Sequence, residues 1–436
     1  MDQKDSQVHF LEIDPTREQQ WQALSLNIQT WFARSAEAGA KEVVSEPGIT
    51  WTSEHLAISS VNPLQIGDQL DRALNWYRRQ HPLEGAICWY VTSAPPGDLA
   101  ARLFARGFEP NWQPHWMWCK LRDLSNQHSH SPSFDIQIVE DEPAGQVNDL
   151  PYYPANQATA RAALHRMYPR HVRSLAAAQQ DQVVGRCVLN VTTGEWGIAG
   201  LFAMAVIPAA RNQGIGTALA WESCNLARQM GCHHVMLNAT PMGEPVYRRV
   251  GFQSMGYSPS WYLRTKTLAA PPLANNQVLF LEAVGRGDLI ALDELGKHVE
   301  NRFLSDPLPN GLTPLDIAVH CRQPASVDWL VSREVPLDLL SAWDIGWKER
   351  VHLLLIEQPE LVNIQRGEGQ LTPLHIAVQR DDIELAKILL TVPNNLDLKD
   401  SEFKATALGW AQYFQRKEII TLIEQHHANQ SKPDHK

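Results

Sequence analysis

Cysteine is scarce in this 436-residue chain, and its six copies (Cys88, Cys119, Cys187, Cys224, Cys232 and Cys321) form no C-x-x-C pair. Nor do they stand at the His/Cys spacing of a zinc site, so neither a disulfide scaffold nor a structural metal organises the fold. The thiols read as reduced, core-filling side chains. His233-His234 and His426-His427 are adjacent pairs whose side chains diverge, with no carboxylate companions, so no metal is expected. Positive charge is in deficit too: 38 Lys and Arg against 48 Asp and Glu leave a formal charge of -10, which offers no overall attraction to nucleic acid or anionic lipid. Long apolar runs are missing. The longest nearly apolar stretch, 197–210, is too short to cross a bilayer, and the opening MDQKDSQVHF has no basic segment leading into an apolar one, so a cytoplasmic location is expected.

What is present is the composition of a globular protein, 44% hydrophobic and 20% charged, in a chain long enough for about three domains. Two polar or Pro-rich stretches, 122–133 and 265–277, read as linkers. They divide the chain into 1–121, 134–264 and 278–427, with 428–436 as a disordered tail. The last part repeats itself. "LTPLHIAVQRDDIELAKILL" (371–390) is echoed by "LTPLDIAVHCRQPASVDWLV" (312–331) and more faintly by "ATALGWAQYFQRKEIITLIE" (405–424). Thr372 and Thr406 are 34 positions apart (406 − 372), whereas Thr313 and Thr372 are 59 apart (372 − 313), short for two such units. The stretch 339–363 then reads as a trimmed unit, and the segment from 278 as an N-terminal cap. Through Thr372, Pro373, Leu374, His375 and Ala377 this section resembles the ankyrin family, which implies an all-α solenoid. An irregular helical domain is the bland alternative. Its role is open between binding a protein partner and stabilising or dimerising the chain.

The middle part reads as a mixed α/β layer: strand 134–139, helix 156–178, strands 182–191 and 198–207, helix 215–230, strand 235–239. Ile215, Leu219, Leu226 and Met230 would line one face of the second helix. Between strand and helix lies "RNQGIG" (211–216). The first turn of a helix presents unpaired amides and a partial positive charge; Gly214 and Gly216 remove β-carbons there, and Arg211 adds a guanidinium. Such a turn suits a pyrophosphate. No Lys-Ser or Lys-Thr follows, so it is not a Walker loop, and the full G-x-G-x-x-G is absent. Glycine-rich turns also occur for packing alone.

Arg211, Gly214 and Gly216 stand in the order of the acyl-coenzyme A loop of the GNAT N-acetyltransferases, and "VYRRVGF" (246–252) supplies the tyrosine that family carries before a Gly-Phe pair. Residues 134–263 thus resemble that family. The resemblance implies acetyl-CoA as co-substrate, with the main chain of Arg211, Asn212, Gln213, Gly214, Ile215, Gly216 and Thr217 on the pyrophosphate. Met204, Ala205 and Val206 would pair through their backbone with the pantetheine arm. It also implies direct attack of a neutral primary amine, from a small molecule or peptide, on the thioester, and Tyr247 as donor to the departing sulfur. A phenol of pKa about 10 facing a thiol near 8.5 makes full transfer uphill by roughly 2 kcal/mol, so partial donation suffices. Equally, Tyr247 could be a buried tyrosine packed beside Phe252.

Many relatives carry a glutamate on the central strand, whereas 197–206 here has no titratable side chain. Glu195 and Glu244 are the candidate bases, or else solvated loop carboxylates. Tyr152 and Tyr153 could wall the acceptor pocket or simply form a surface turn. Deprotonating an amine of pKa about 8 at pH 7 costs roughly 1.4 kcal/mol, and a lysine roughly 4.6, so a missing base leans toward a low-pKa amine or a water relay.

Residues 1–121 end in "LAARLFARGFEPNWQPHWMWCKL", which mirrors the layout of "PVYRRVGFQSMGYSPSWYL" without any Arg-x-x-Gly-x-Gly turn. A degenerate second copy is expected, completing the substrate cleft or extending the core, with Trp112, Trp116 and Trp118 as packing. The fold class is therefore a tandem GNAT α/β fold with mixed central sheets, followed by an ankyrin solenoid. The alternative function is a non-catalytic acyl-CoA sensor or an ankyrin scaffold.

Overall fold

The computed structural model describes residues 9–80, 84–92, 97–124, 134–139, 150, 157–180, 182–366 and 369–430. The chain forms two compact units, residues 1–273 and 274–436. None of the described helices is long and apolar enough to cross a membrane.

The first unit runs α1 (Arg17–Ala38), β1 (Val44–Glu46), β2 (Ile49–Trp51), β3 (His55–Ile58), α2 (Ile66–Gln80), β4 (Ala86–Tyr90), α3 (Leu99–Phe104), β5 (Glu109–Pro110) and β6 (His115–Lys120). It continues with β7 (Asp135–Val139), α4 (Ala158–Met167), β8 (Val172–Gln179), β9 (Gln182–Val191), β10 (Ala199–Val206), α5 (Ile215–Gln229), β11 (His234–Ala239), α6 (Glu244–Val250), β12 (Gln253–Tyr257), β13 (Ser260–Leu263) and α7 (Thr265–Ala269). One sheet has the order β1-β2-β3-β4-β13-β5, the other β12-β6-β11-β10-β9-β8-β7. Both repeat one plan: antiparallel strands, a parallel pair bridged by a helix (β3 with β4 through α2, β10 with β11 through α5), then two more strands. In each, the strand beside the parallel pair comes from the other half. β6 lies between β11 and β12, and β13 between β4 and β5. The sheets are therefore not divided at residues 122–133.

Alternation along β6 explains why it is held there. Met117 and Cys119 join the core under α5 with Leu201, Leu219 and Leu237, while Trp116 and Trp118 join Trp21, Leu24 and Ile28 of α1 on the opposite face. On α5, Ile215 and Leu219 are buried and Leu226 and Met230 pack partly against the same core. Five cysteines are buried and Cys321 is partly so. His233 Nδ1 and His234 Nε2 each lie 2.8 Å from a backbone carbonyl, those of Leu11 and Glu12, and so pin the segment before α1. Among the described residues no three His, Cys, Asp or Glu side chains converge as metal ligands.

One expected element is wrong. The stretch 156–178 is not a single helix: α4 ends at Met167, and Val172–Gln179 is β8, paired with β7 on one side and β9 on the other. Pro169 interrupts the helix, and two neighbours supply the ladder that overrides the helical propensity of the alanine run. The 265–277 linker is also shorter than expected, since α7 packs on α2 and the next helix starts at Asn275.

The second unit is a series of helix pairs: α8 (Asn275–Arg286) with α9 (Leu289–Leu295), α10 (Pro314–His320) with α11 (Pro324–Val331), α12 (Leu339–Asp344) with α13 (Lys348–Glu357), α14 (Pro373–Arg380) with α15 (Ile383–Leu389), and α16 (Ala407–Tyr413) with α17 (Lys417–Gln430). Thr313, Asp338, Thr372 and Thr406 cap the first helices of the last four pairs. Their spacings are 25 (338 − 313), 34 (372 − 338) and 34 (406 − 372). The shortening therefore falls between α11 and α12, not in the 339–363 unit, which is of full length. His375 accepts at Nδ1 from the Thr372 hydroxyl (2.8 Å) and donates from Nε2 to Ala405 O (3.1 Å), tying one repeat to the next. Residues 428–430, assigned to the tail, are the last residues of α17; 431–436 lie outside the described residues.

Candidate active site

The turn after β10 begins with Pro208 and closes on Gly214, whose φ of +85° is a left-handed conformation that β-carbons resist. A Cβ built on Gly214 would meet no atom within 4 Å. The first bond of α5 is Ala218 N–H to Gly214 O at 3.0 Å, which leaves the amides of Ile215, Gly216 and Thr217 without intrahelical partners at the positive end of a 15-residue helix. Ile215 is buried beneath. Gln213 is held by Gln179 Nε2 (2.9 Å), and Asn212 adopts a φ of +63°. Arg211 donates from Nε to Val206 O at 3.2 Å, so its guanidinium closes over the end of β10. A methyl on Gly216 would only touch Met204 and Val246, at 3.6 Å. The protein's own packing thus makes no demand for glycine there, and the bare backbone faces the cleft. These residues fit a diphosphate: converging donors, one guanidinium and open space.

Beside the turn the sheet opens. β10 stays on β9 through Val206 but pairs with β11 only at Ala199–Val235, Gly200–Met236 and Leu201–Leu237. The two strands part after Leu201. The parting coincides with a register shift between Phe202 and Ala205 and with a φ of +47° at Ala203, a bulge that turns β10 away. Met204, Ala205 and Val206 therefore line the opening with an edge that β11 does not use. In the first half the corresponding pair is closed: β3 and β4 match residue for residue from His55–Ile87 to Ile58–Tyr90. Among its described residues that half has neither the turn nor the gap.

Tyr247 reaches the same cleft from α6. Its ring is buried edge-on to Phe252, with centroids 5.9 Å apart, so the packing role and the position at the cleft coexist. Gly243 gives the ring room, since a Cβ there would lie 3.0 Å from Tyr247 Cε2. Glu244 bridges Arg248 (2.6 Å) and lies 3.3 Å from His115 Nδ1 on β6, anchoring α6. The Arg248 guanidinium, with a smaller effect from His115, holds the Glu244 carboxyl below its ordinary value, which makes it a weak base. Glu195 is exposed in the turn between β9 and β10, at the end of β10 opposite the 211–216 turn, and does not line the cleft. The structure thus brings Tyr247, the 204–206 edge and the 211–217 turn together and leaves Glu195 outside.

The cleft measures about 1650 Å³, more than one small ligand needs. Its far wall comes from the first half: Trp31, Phe32, Glu54, His55, Trp89 and Trp112. Trp112 is 45% exposed there, whereas Trp116 and Trp118 are core, so packing describes only two of the three tryptophans. Burial holds the His55 imidazole well below its ordinary value, and its Nδ1 accepts from Trp89 Nε1 at 3.3 Å. Asn238, one residue past the last β10–β11 pair, lines the cleft with a buried Oδ1 that has no hydrogen-bond partner. Such an acceptor costs about 1–3 kcal/mol until a donor arrives. Nothing in the sequence marked Asn238, a lone polar residue in an apolar strand; the first half was expected either to complete the cleft or to extend the core, and which of its residues form the wall depends on how α1 crosses the second sheet. Tyr152 and Tyr153 lie outside the described residues; Leu150 lines the cleft.

Residues 146–252 match the acetyltransferase (GNAT) family, and residues 370–401 match the ankyrin repeat. Over 77 residues the chain is 29% identical to a glucosamine 6-phosphate N-acetyltransferase of Trypanosoma brucei brucei, an alignment covering 17% of this chain and 52% of that protein. The chain thus spans about half the length of this curated relative. Among solved structures, a GCN5-related N-acetyltransferase from Kribbella flavida is similar at 14% identity and a TM-score of 0.38, over 51% of this chain and 89% of that one. A tandem GNAT protein from the clavulanic acid biosynthesis pathway is similar at 18% identity and a TM-score of 0.38, over 50% and 76%. The bare helix start, the parted strands and Tyr247 thus all lie within residues 146–252, the stretch that matches the acetyltransferase (GNAT) family, while the ankyrin-repeat match at residues 370–401 lies in the second unit.

Proposed function

We propose that this protein is an acetyl-CoA-dependent N-acetyltransferase that moves an acetyl group to a primary amine of a small molecule or peptide. The observation that carries it is the gap between β10 and β11, which opens directly onto the free amides of α5 and has Tyr247 at its side. Acetyl-CoA supplies an activated thioester when bound. The amides of Ile215, Gly216 and Thr217, with Arg211, take the pyrophosphate. The edge of Met204, Ala205 and Val206 takes the pantetheine arm as an added strand would be taken. Tyr247 donates a hydrogen bond to the sulfur as charge develops there. Among the described residues β10 and β11 carry no carboxylate where they part, and in this reading the amine arrives neutral or loses its proton to water. The helix pairs offer a face for a protein partner.

The test is release of free thiol from acetyl-CoA with a panel of amines. Turnover is expected, and Gly214→Asp abolishes it by placing a strained side chain and a carboxylate where the diphosphate would sit. Tight coenzyme binding without turnover on any amine would instead favour an acyl-CoA sensor or an ankyrin scaffold.

A further inference from the structure

The cleft continues past the coenzyme strands onto a surface of rings. Trp31 stacks on Phe202 with centroids 4.6 Å apart and planes 10° apart. Phe32 stacks on His55 at 3.8 Å, and Trp89 meets Trp112 edge-on at 5.7 Å. Phe202 is the last residue of β10 before the bulge, so this surface begins where the strands part. Charge is subdued there: Glu54 and Lys41 pair with each other, and burial keeps His55 neutral. Asn238 stands at the same junction with its Oδ1 unpartnered.

We propose that the acceptor is a primary amine carried on an aromatic or comparably flat apolar body, seated against Trp31, Phe32, Trp89 and Trp112, with its amino group donating to Asn238 Oδ1. This rests on the acetyltransferase reading and names its second substrate. Ring faces attract the ammonium as it enters and give the apolar body its contact area. Once the group is desolvated its charged form is disfavoured, so its pKa falls and the neutral amine is populated without a dedicated base. One N–H goes to Asn238, which turns the nitrogen lone pair toward the thioester carbon. That lone pair forms the C–N bond, the C–S bond breaks with its electron pair on sulfur, and the proton lost by nitrogen ends on sulfur. The products are the N-acetyl amide and the free coenzyme thiol. The rings share this wall with the hydroxyls of Ser35, Thr52 and Ser53, which a phosphosugar would use. Because Arg161 and Arg249 also reach the cleft, glucosamine 6-phosphate is the comparison acceptor.

The experiment uses the full chain, acetyl-CoA and four acceptors: phenethylamine, tryptamine, glucosamine 6-phosphate and a lysine-containing peptide. The two arylalkylamines are expected to exceed the others in kcat/KM by about 10-fold or more. Trp112→Ala, at an exposed position, is expected to raise KM for them about 10-fold with the coenzyme's heat of binding unchanged. Asn238→Leu lowers kcat by about 10-fold. Preference for the phosphosugar or the peptide overturns this inference alone, as does unchanged arylalkylamine kinetics in both variants. Absence of thiol release with every acceptor overturns the acetyltransferase reading and this inference with it.

Discussion

At the scale of single residues, Tyr247 and Glu195 make opposite predictions. Tyr247 is buried at the cleft and Glu195 is exposed at the far end of β10. Removing the phenolic hydroxyl with Tyr247→Phe is expected to lower kcat roughly 10- to 100-fold, at or below the bottom of the range for general acids, because its proton moves only partway. The KM for acetyl-CoA should hold. Glu195→Gln should leave both constants at the parent values. Steady-state thiol release decides, and a Tyr247→Phe enzyme as fast as the parent would reduce Tyr247 to a core ring beside Phe252. Glu244 acts through geometry instead: its contacts with Arg248 and His115 fix the helix that carries Tyr247.

At the scale of elements, the exchanged strand is decisive. A fragment spanning 134–273 lacks β6, so β11 and β12 lose their common neighbour and the core under α5 loses Met117 and Cys119. It should show no cooperative thermal transition and no heat with coenzyme A, whereas residues 1–273 should show both. A cooperative, coenzyme-binding 134–273 would contradict this. The elements also show where sequence was informative. The turn from Arg211 to Gly216 was legible because left-handed geometry and a helix start leave chemical marks, and the Thr-Pro-Leu caps were legible because they repeat. The split of the 156–178 stretch was not: an alanine run takes its structure from the β7 and β9 edges offered to it. Strand exchange was equally silent, since alternation along β6 says that both faces are buried and not by which partner. The bulge at Ala203 and the orphaned Asn238 Oδ1 depend on tertiary position alone.

At the scale of the whole molecule, several buried histidines point the same way in pH. His234 is 1% exposed, and burial pushes its pKa down to about 4 from an ordinary value of 6.5. Between those values the unfolded chain takes up a proton that the folded chain refuses, so stability is full above pH 6.5 and falls as the pH drops toward 4. One such histidine accounts for on the order of 2 to 3 kcal/mol across the window. His375, in the second unit and equally buried, is shifted in the same direction by burial. Thermal midpoints should fall between pH 7 and pH 5, and His234→Gln should lessen the fall; an equal fall in that variant would remove His234 as a cause. The placement of β13 has a further consequence, for the timing of synthesis. Its slot lies between β4 and β5, yet it ends 153 residues after β5 (263 − 110). At roughly 5–20 residues per second, the ribosome needs roughly 8–30 s to deliver it. For that interval the nascent first half carries an open backbone edge on β4, so its sheet closes only when the second half has almost wholly emerged.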